Sequence, residues 1–278
     1  VLRATRNVNQ FIVQEDGPRR LVERACRNLT HNLGYCNAWI ALTAEPGRPG
    51  SDLGEEERGL PALAQSGLGE RIAGLEEMLA RGEPPPCMRR ALATKETVVV
   101  EDPPGRCTGC PMATAYGGRA GLGRRLAHGD RTYGHLAVSV PAAHARDREA
   151  QELFAEVADD LGFALHRLAE ARLLEQERRR LAFILEGARL GTWIRDIETG
   201  RTRFNEQWAA MLGYTLAELA PCDHRTWAGL VHPADLPRAE TELRKCVEGR
   251  TTDYECELRM RHKDGSWRWF LDRGRVMT

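Results

Sequence analysis

The residues best suited to chemistry in this sequence are Cys87 and the run Cys107-Thr108-Gly109-Cys110. A Cys-x-x-Cys turn can place two thiolates on one metal ion, because glycine lets the backbone fold back until the sulfurs converge. Cys87 offers a third ligand, and His128, Cys36 or Cys26 a fourth. Zinc and an iron–sulfur cluster both accept such a set. Two other readings stand beside the metal. Cys107 and Cys110 can form a reversible redox disulfide, or all three are ordinary loop thiols.

The stretch from Tyr116 to Arg125 is rich in glycine and arginine. Backbone N–H groups of such loops, with arginine nearby, bind anions. Arg119 and Arg124 are the candidate ligand-binding residues for a cyclic nucleotide or similar anion. The spacing is neither a Walker A nor a dinucleotide fingerprint, and a loop running into a strand is the simpler reading. No nucleophile motif of the Gly-x-Ser-x-Gly kind occurs. His232 and Asp235 have no serine or cysteine partner beside them. Asp159-Asp160 and Glu55-Glu56-Glu57 read as solvated acids. No catalytic centre is expected.

Certain elements must position these residues. The chain has 278 residues, which suggests two domains. Hydrophobic residues make up 42% and charged residues 29%, ordinary values for a globular protein. Lys+Arg and Asp+Glu balance at 40 each, so no chain-wide basic field invites nucleic acid. No apolar run approaches the roughly 20 residues a bilayer needs, and no secretory signal is apparent. The eight cysteines are expected to be mostly reduced, in a cytoplasmic compartment.

Apolar spacing predicts a helix over residues 5–33, interrupted near Gly17-Pro18, and a strand at Ala38–Leu42. A Gly- and Pro-rich loop spans 44–61. Helices follow at Leu75–Ala80 and Met88–Thr94, then a strand at Thr97–Val100 and a long connection over 101–123. Arg124–His128 and Thr132–Val140 read as a hairpin. From Arg146, the positions Phe154, Val157, Leu161, Ala164, Leu168 and Ala171 make a heptad seam. It continues after a phase slip through Leu174, Leu181 and Leu185. Part of this helix is expected to pack on its own domain, but a seam of more than 30 residues is too long for one globular helix to bury alone, so a two-chain coiled coil is expected. Strands are predicted at Thr192–Asp196 and Thr202–Phe204, helices within 206–246, and a final hairpin at Tyr254–Arg261 and Trp267–Val276.

The C-terminal third resembles the PAS family. The resemblance rests on Gly191-Thr192-Trp193, Thr199-Gly200, Phe204-Asn205, Met211-Leu212-Gly213-Tyr214 and Trp227. It continues through Val231-His232-Pro233-Ala234-Asp235, Lys263-Asp264-Gly265 and Trp267-Arg268-Trp269. The first half is similar to the GAF family, through Ala38–Leu42, Val98-Val99-Val100-Glu101-Asp102 and the stretch Arg125–Val138. The fold class implied is α+β, with two antiparallel-sheet domains joined by a long helix. The expected boundaries are 1–145 for the GAF-like domain, 146–186 for the helix and 187–278 for the PAS-like domain. The family's last strand lies in the middle of its sheet, and the PAS-like part here is expected to lack it.

The resemblance implies a non-catalytic sensory and dimerisation fragment of a bacterial signal-transduction protein of the histidine kinase or nucleotide cyclase type. The GAF-like half would sense a small ligand, metal or redox state and signal through a homodimeric helix at 146–186. The output domain is absent from this stretch. The alternative is a ligand-free structural dimerisation module. Haem is not expected, since His224 and His232 are the only histidines near a PAS interior. Flavin is not expected either, since Cys222 lacks the asparagine and glutamine setting of light-sensing relatives. Trp193, Phe204, Trp208, Met211, Tyr214 and Trp227 are expected to be core.

Overall fold

The structure is a computed structural model and describes residues 17–43 and 62–277. The expected helical residues before Gly17, the loop at 44–61 and Glu55-Glu56-Glu57 lie outside the described residues. The chain divides into two compact units, Val1–Leu174 and Glu175–Thr278. Among the described residues, no helix is long and apolar enough to cross a membrane.

The first unit opens with helix α1, Pro18–His31. Gly17 is its extended N-cap and Pro18 stands in its first turn, where proline's missing N–H costs no helical bond. The Gly17-Pro18 pair is thus the start of this described helix. Strands β1 (Asn37–Leu42), β2 (Leu63–Ser66), β3 (Val98–Val100), β4 (Ala120–His128) and β5 (Arg131–Val140) form one sheet. Its order is β2-β1-β5-β4-β3, antiparallel throughout. β2 was not legible in the sequence. β4 begins at Ala120, four residues before the expected Arg124, so the Gly-rich run is a turn at Gly117-Gly118 that leads into the strand. Gly121 lies against the Tyr116 ring and Gly123 against the His135 imidazole, and a side chain at Gly123 would strike it at 2.9 Å.

Strand alternation sorts the sheet into two faces. Ala38, Ile40, Leu122, Leu136 and Val138 pack with Leu21, Val22, Cys26 and Leu29 of α1. Trp39, Ala41 and Ala137 face the other way. There they meet helices α2 (Ala73–Ala80) and α3 (Pro86–Ala93), the single turn α4 (Pro103–Arg106) and a 3-10 turn at Ala113–Tyr116.

Helix α5, Arg148–Gly187, runs 40 residues. Its Phe154, Val157, Leu161 and Ala164 are buried in the first unit's core, with Leu168 packed against it. The first half of the seam is thus the domain's own core. The core of the first unit therefore runs past residue 145 into this helix. Leu173, Leu174, Leu181, Phe183 and Ile184 are exposed.

The second unit holds β6 (Trp193–Arg195) paired with β7 (Thr202–Phe204), and β8 (Asp253–Arg261) paired with β9 (Trp267–Arg275). Among the described residues these remain two separate two-stranded sheets. Between them in sequence lie α6 (Glu206–Met211), α7 (His224–Leu230) and α8 (Leu236–Val247). Asn205 caps α6 by accepting from the Trp208 N–H, and Asp223 with Thr226 forms a capping box on α7. Helix α8 begins at Leu236, and the Asp235 carboxylate before it accepts from the Arg259 guanidinium at 2.8 and 2.9 Å and from its backbone N–H.

Phe204 and Trp208 stack at 3.9 Å within a core that includes Trp227, Leu230, Tyr254 and Leu258. Asp272 of β9 ties the two strand pairs together. Its carboxylate accepts from Trp193 Nε1 of β6 at 2.8 Å and from the Tyr254 hydroxyl of β8 at 3.2 Å.

Candidate functional site

A cavity of about 30 Å³ lies on the sheet face opposite α1. Sheet register builds its floor. Trp39 pairs with Ala137, Ala41 with His135, and Gly123 with both Ala137 and Val98. The small residues leave a pit, and Trp39 and His135 stand at its side with ring centroids 4.9 Å apart. The roof comes from α3 and from the connection between β3 and β4, through Cys87, Pro103, Cys107, Cys110, Met112 and Tyr116.

The three sequence-predicted cysteines thus converge on one cavity. Cys87 lies in the first turn of α3, and Cys107 and Cys110 flank a turn closed by Cys110 N–H donating to the Cys107 carbonyl at 3.0 Å. His128 does not join them. It stacks on His166 at 4.6 Å and meets Phe163 edge-on at 5.1 Å, at the far end of β4. Cys26 is in the core on the opposite sheet face, and Cys36 is exposed. Among the described residues, no group of three or more His, Cys, Asp or Glu side chains is arranged to hold a metal ion. The expected set of Cys87, Cys107, Cys110 and His128 for zinc or an iron–sulfur cluster is therefore not assembled.

The arginine expectation is also corrected. Arg124 makes a two-pronged ion pair with Asp159 of α5, both contacts 3.1 Å. Arg119 is exposed. Neither lines the cavity.

The residue that sequence reasoning passed over is His135. It is fully buried, and neither ring nitrogen has a hydrogen-bond partner. Desolvation pushes its pKa down to about 3, so the ring is neutral, with one N–H and one lone pair unused. A buried polar group without a partner costs roughly 1–3 kcal/mol. The available signal was alternation: in β5 a polar His135 shares a face with Ala137 and therefore with Trp39.

Burial pushes the Cys87 thiol up to about 12, and it raises Cys107 and Cys110 as well. Tyr116 is raised for the same reason, and its hydroxyl accepts from Trp39 Nε1 at 3.3 Å. Among the described residues, no Asp, Glu, Lys or Arg lines the cavity. The wall is therefore uncharged at neutral pH. Such a site suits an uncharged guest, since a bare ion in low dielectric loses its hydration without compensation.

In the second unit, the His232 ring packs edge-on against Trp267 at 4.5 Å and His224 lies 3.5 Å from Glu240. Of the expected core residues, Phe204, Trp208 and Trp227 are buried, Trp193 and Tyr214 pack partly buried against them, and Met211 is not in the cluster.

Residues 17–165 match the family model described as GAF domain, and residues 201–278 match that described as PAS fold. Comparison with curated proteins finds no match. Among solved structures, the chain is similar to a sensory box histidine kinase/response regulator from Burkholderia thailandensis E264. The identity there is 28%, over 35% of this chain and 71% of that one, with a TM-score of 0.31. It is also similar to the GAF domain of a phosphoenolpyruvate-protein phosphotransferase from Coxiella burnetii, at 14% identity, over 63% and 96% of the two chains, with a TM-score of 0.43. The GAF domain of the Acinetobacter phosphoenolpyruvate-protein phosphotransferase matches at 16% identity, over 62% and 94%, with a TM-score of 0.40. With its GAF match spanning more than half of its length, the chain belongs to the GAF domain family and carries a PAS fold after it.

Proposed function

We propose that this chain is the non-catalytic sensory part of a cytoplasmic signal-transduction protein, and that its GAF domain senses a small uncharged ligand in the His135 cavity. The observation that carries this reading is His135 itself. A fully buried imidazole with both nitrogens unpartnered stands at a cavity with an uncharged wall. A guest that offers one acceptor and one donor satisfies it, and a cyclic nucleotide phosphate does not suit the site.

The test is a thermal-shift and histidine-imidazole NMR screen of small fragments in matched charged and uncharged sets. Uncharged fragments are expected to raise the melting temperature and move the His135 ring signals, and His135→Phe is expected to abolish both effects. A response to anions alone, or to nothing in the set, overturns the ligand reading and favours the ligand-free structural module.

Signalling on this reading runs along α5 as a homodimer. The exposed Leu173, Leu174, Leu181, Phe183 and Ile184 support it. So does the division between units at Leu174, which falls where the heptad phase slips. The output domain is of the histidine kinase or nucleotide cyclase type.

A further inference from the structure

The Cys-x-x-Cys turn carries an inference that does not depend on the ligand reading. We propose that Cys107 and Cys110 are a redox-active pair, which a small hydroperoxide such as hydrogen peroxide joins as a disulfide in the roof of the cavity.

The backbone selects this pair. Cys110 N–H donates to the Cys107 carbonyl at 3.0 Å, which closes a turn with Cys107 first and Cys110 last. The end Cα atoms of such a turn lie within about 7 Å of each other, and a disulfide spans roughly 4.4–6.8 Å between Cα atoms. Gly109 inside the turn has a φ of 78°, in the left-handed region that glycine enters without a Cβ penalty. Both ends of the turn are pinned. Cys107 N–H donates to the Pro103 carbonyl at 2.9 Å as the cap of α4, and the Cys110 carbonyl accepts from the Ala113 N–H at 3.1 Å where the 3-10 turn begins. The main chain thus holds the two residues at disulfide span and leaves rotation about the Cα–Cβ bonds to bring the sulfurs together. Cys87 shares the cavity but stands on a separate element, α3.

Cys110 is partly exposed and Cys107 is buried, so the oxidant meets Cys110 first. Both line the cavity of about 30 Å³, which admits a molecule scarcely larger than water, as hydrogen peroxide is. The Cys110 thiolate attacks one peroxide oxygen and the O–O bond breaks. The departing hydroxide takes up the proton that the thiol released and leaves as water. Cys110 is then a sulfenic acid. The Cys107 thiolate attacks that sulfur, the S–O bond breaks, and the hydroxide leaves with the second thiol proton as another water. Two thiols and one peroxide become one disulfide and two waters. The bond locks the connection between β3 and β4 in its closed turn.

The experiment is peptide mapping of the whole native chain after peroxide treatment and alkylation. Cleavage after Arg106 and Arg119 leaves both thiols on one peptide. In wild type that peptide is expected to lose both alkyl labels and to regain them after dithiothreitol, while Cys87 stays labelled throughout. Cys87→Ser is expected to keep the disulfide. Cys107→Ser is expected to lose it and to leave a Cys110 sulfenic acid that dimedone traps. A disulfide that uses Cys87, or full alkylation of Cys107 and Cys110 in wild type under excess peroxide, overturns the proposal. These readouts involve no guest, so the fragment screen decides the ligand reading separately.

Discussion

At the scale of single residues, two buried polar groups carry the sharpest consequences. His135 stays neutral in the folded chain down to about pH 3, whereas an unfolded histidine takes up a proton near 6.5. Below about 6.5 the unfolded state therefore binds the extra proton, and stability falls as pH falls, at up to roughly 1.4 kcal/mol per pH unit from this residue. Chemical denaturation of wild type and His135→Phe from pH 7 to 4 is expected to show a shallower slope in the variant. Equal slopes would mean that the ring is solvated.

Asp272 runs the other way. Burial raises its carboxyl, while the Trp193 and Tyr254 donors pull it back. Its folded state holds the proton more tightly, so its contribution is full below the unfolded carboxylate range and is lost as pH rises through the folded value. Trp193→Phe removes one donor and is expected to cost about 1–3 kcal/mol of the second unit's stability at neutral pH. The loss should shrink in mild acid, where the carboxyl is protonated. A loss independent of pH would assign it to indole packing instead.

Among the elements, α5 is the one whose sequence invites the wrong local argument. Gly162 sits inside a helix, where alanine is ordinarily about 1 kcal/mol better. A Cβ there would lie 2.4 Å from the Ala127 carbonyl oxygen, at the bulge where the β4–β5 register shifts after Leu126. Gly162→Ala is therefore expected to destabilise the first unit by about 1–3 kcal/mol, since overpacking against backbone outweighs helix propensity. A thermal melt showing a gain would mean that the helix stands off the strand. The same contact explains why the heptad pattern misleads before Leu168. A seam of period 3.5 and a domain-packing stripe of period 3.6 are indistinguishable over a few turns.

For the whole molecule, the balance of 40 basic and 40 acidic residues removes long-range steering as an argument about partners. On the proposed reading, self-association runs through the exposed Leu173, Leu174, Leu181, Phe183 and Ile184 of α5. The double variant Leu174→Glu, Leu181→Glu is expected to convert a dimer to a monomer in sedimentation velocity, with unchanged helix content by circular dichroism. A monomeric wild type would remove α5 as the route of signalling.

The sequence by itself determined the GAF-then-PAS arrangement and most of the elements, β2 excepted. Those features are local: period-two alternation in β1 and β5, turn glycines such as Gly265, and a three-four apolar stripe from Phe154. Only tertiary structure decided which groups meet. Cross-strand register placed His135 beside Trp39 and over Gly123, and strand direction carried His128 away to His166. Arg124 was claimed by Asp159, 35 positions away in sequence. Spacing along a chain reports which face a side chain takes within its own element, whereas partners come from register and packing between elements far apart in sequence.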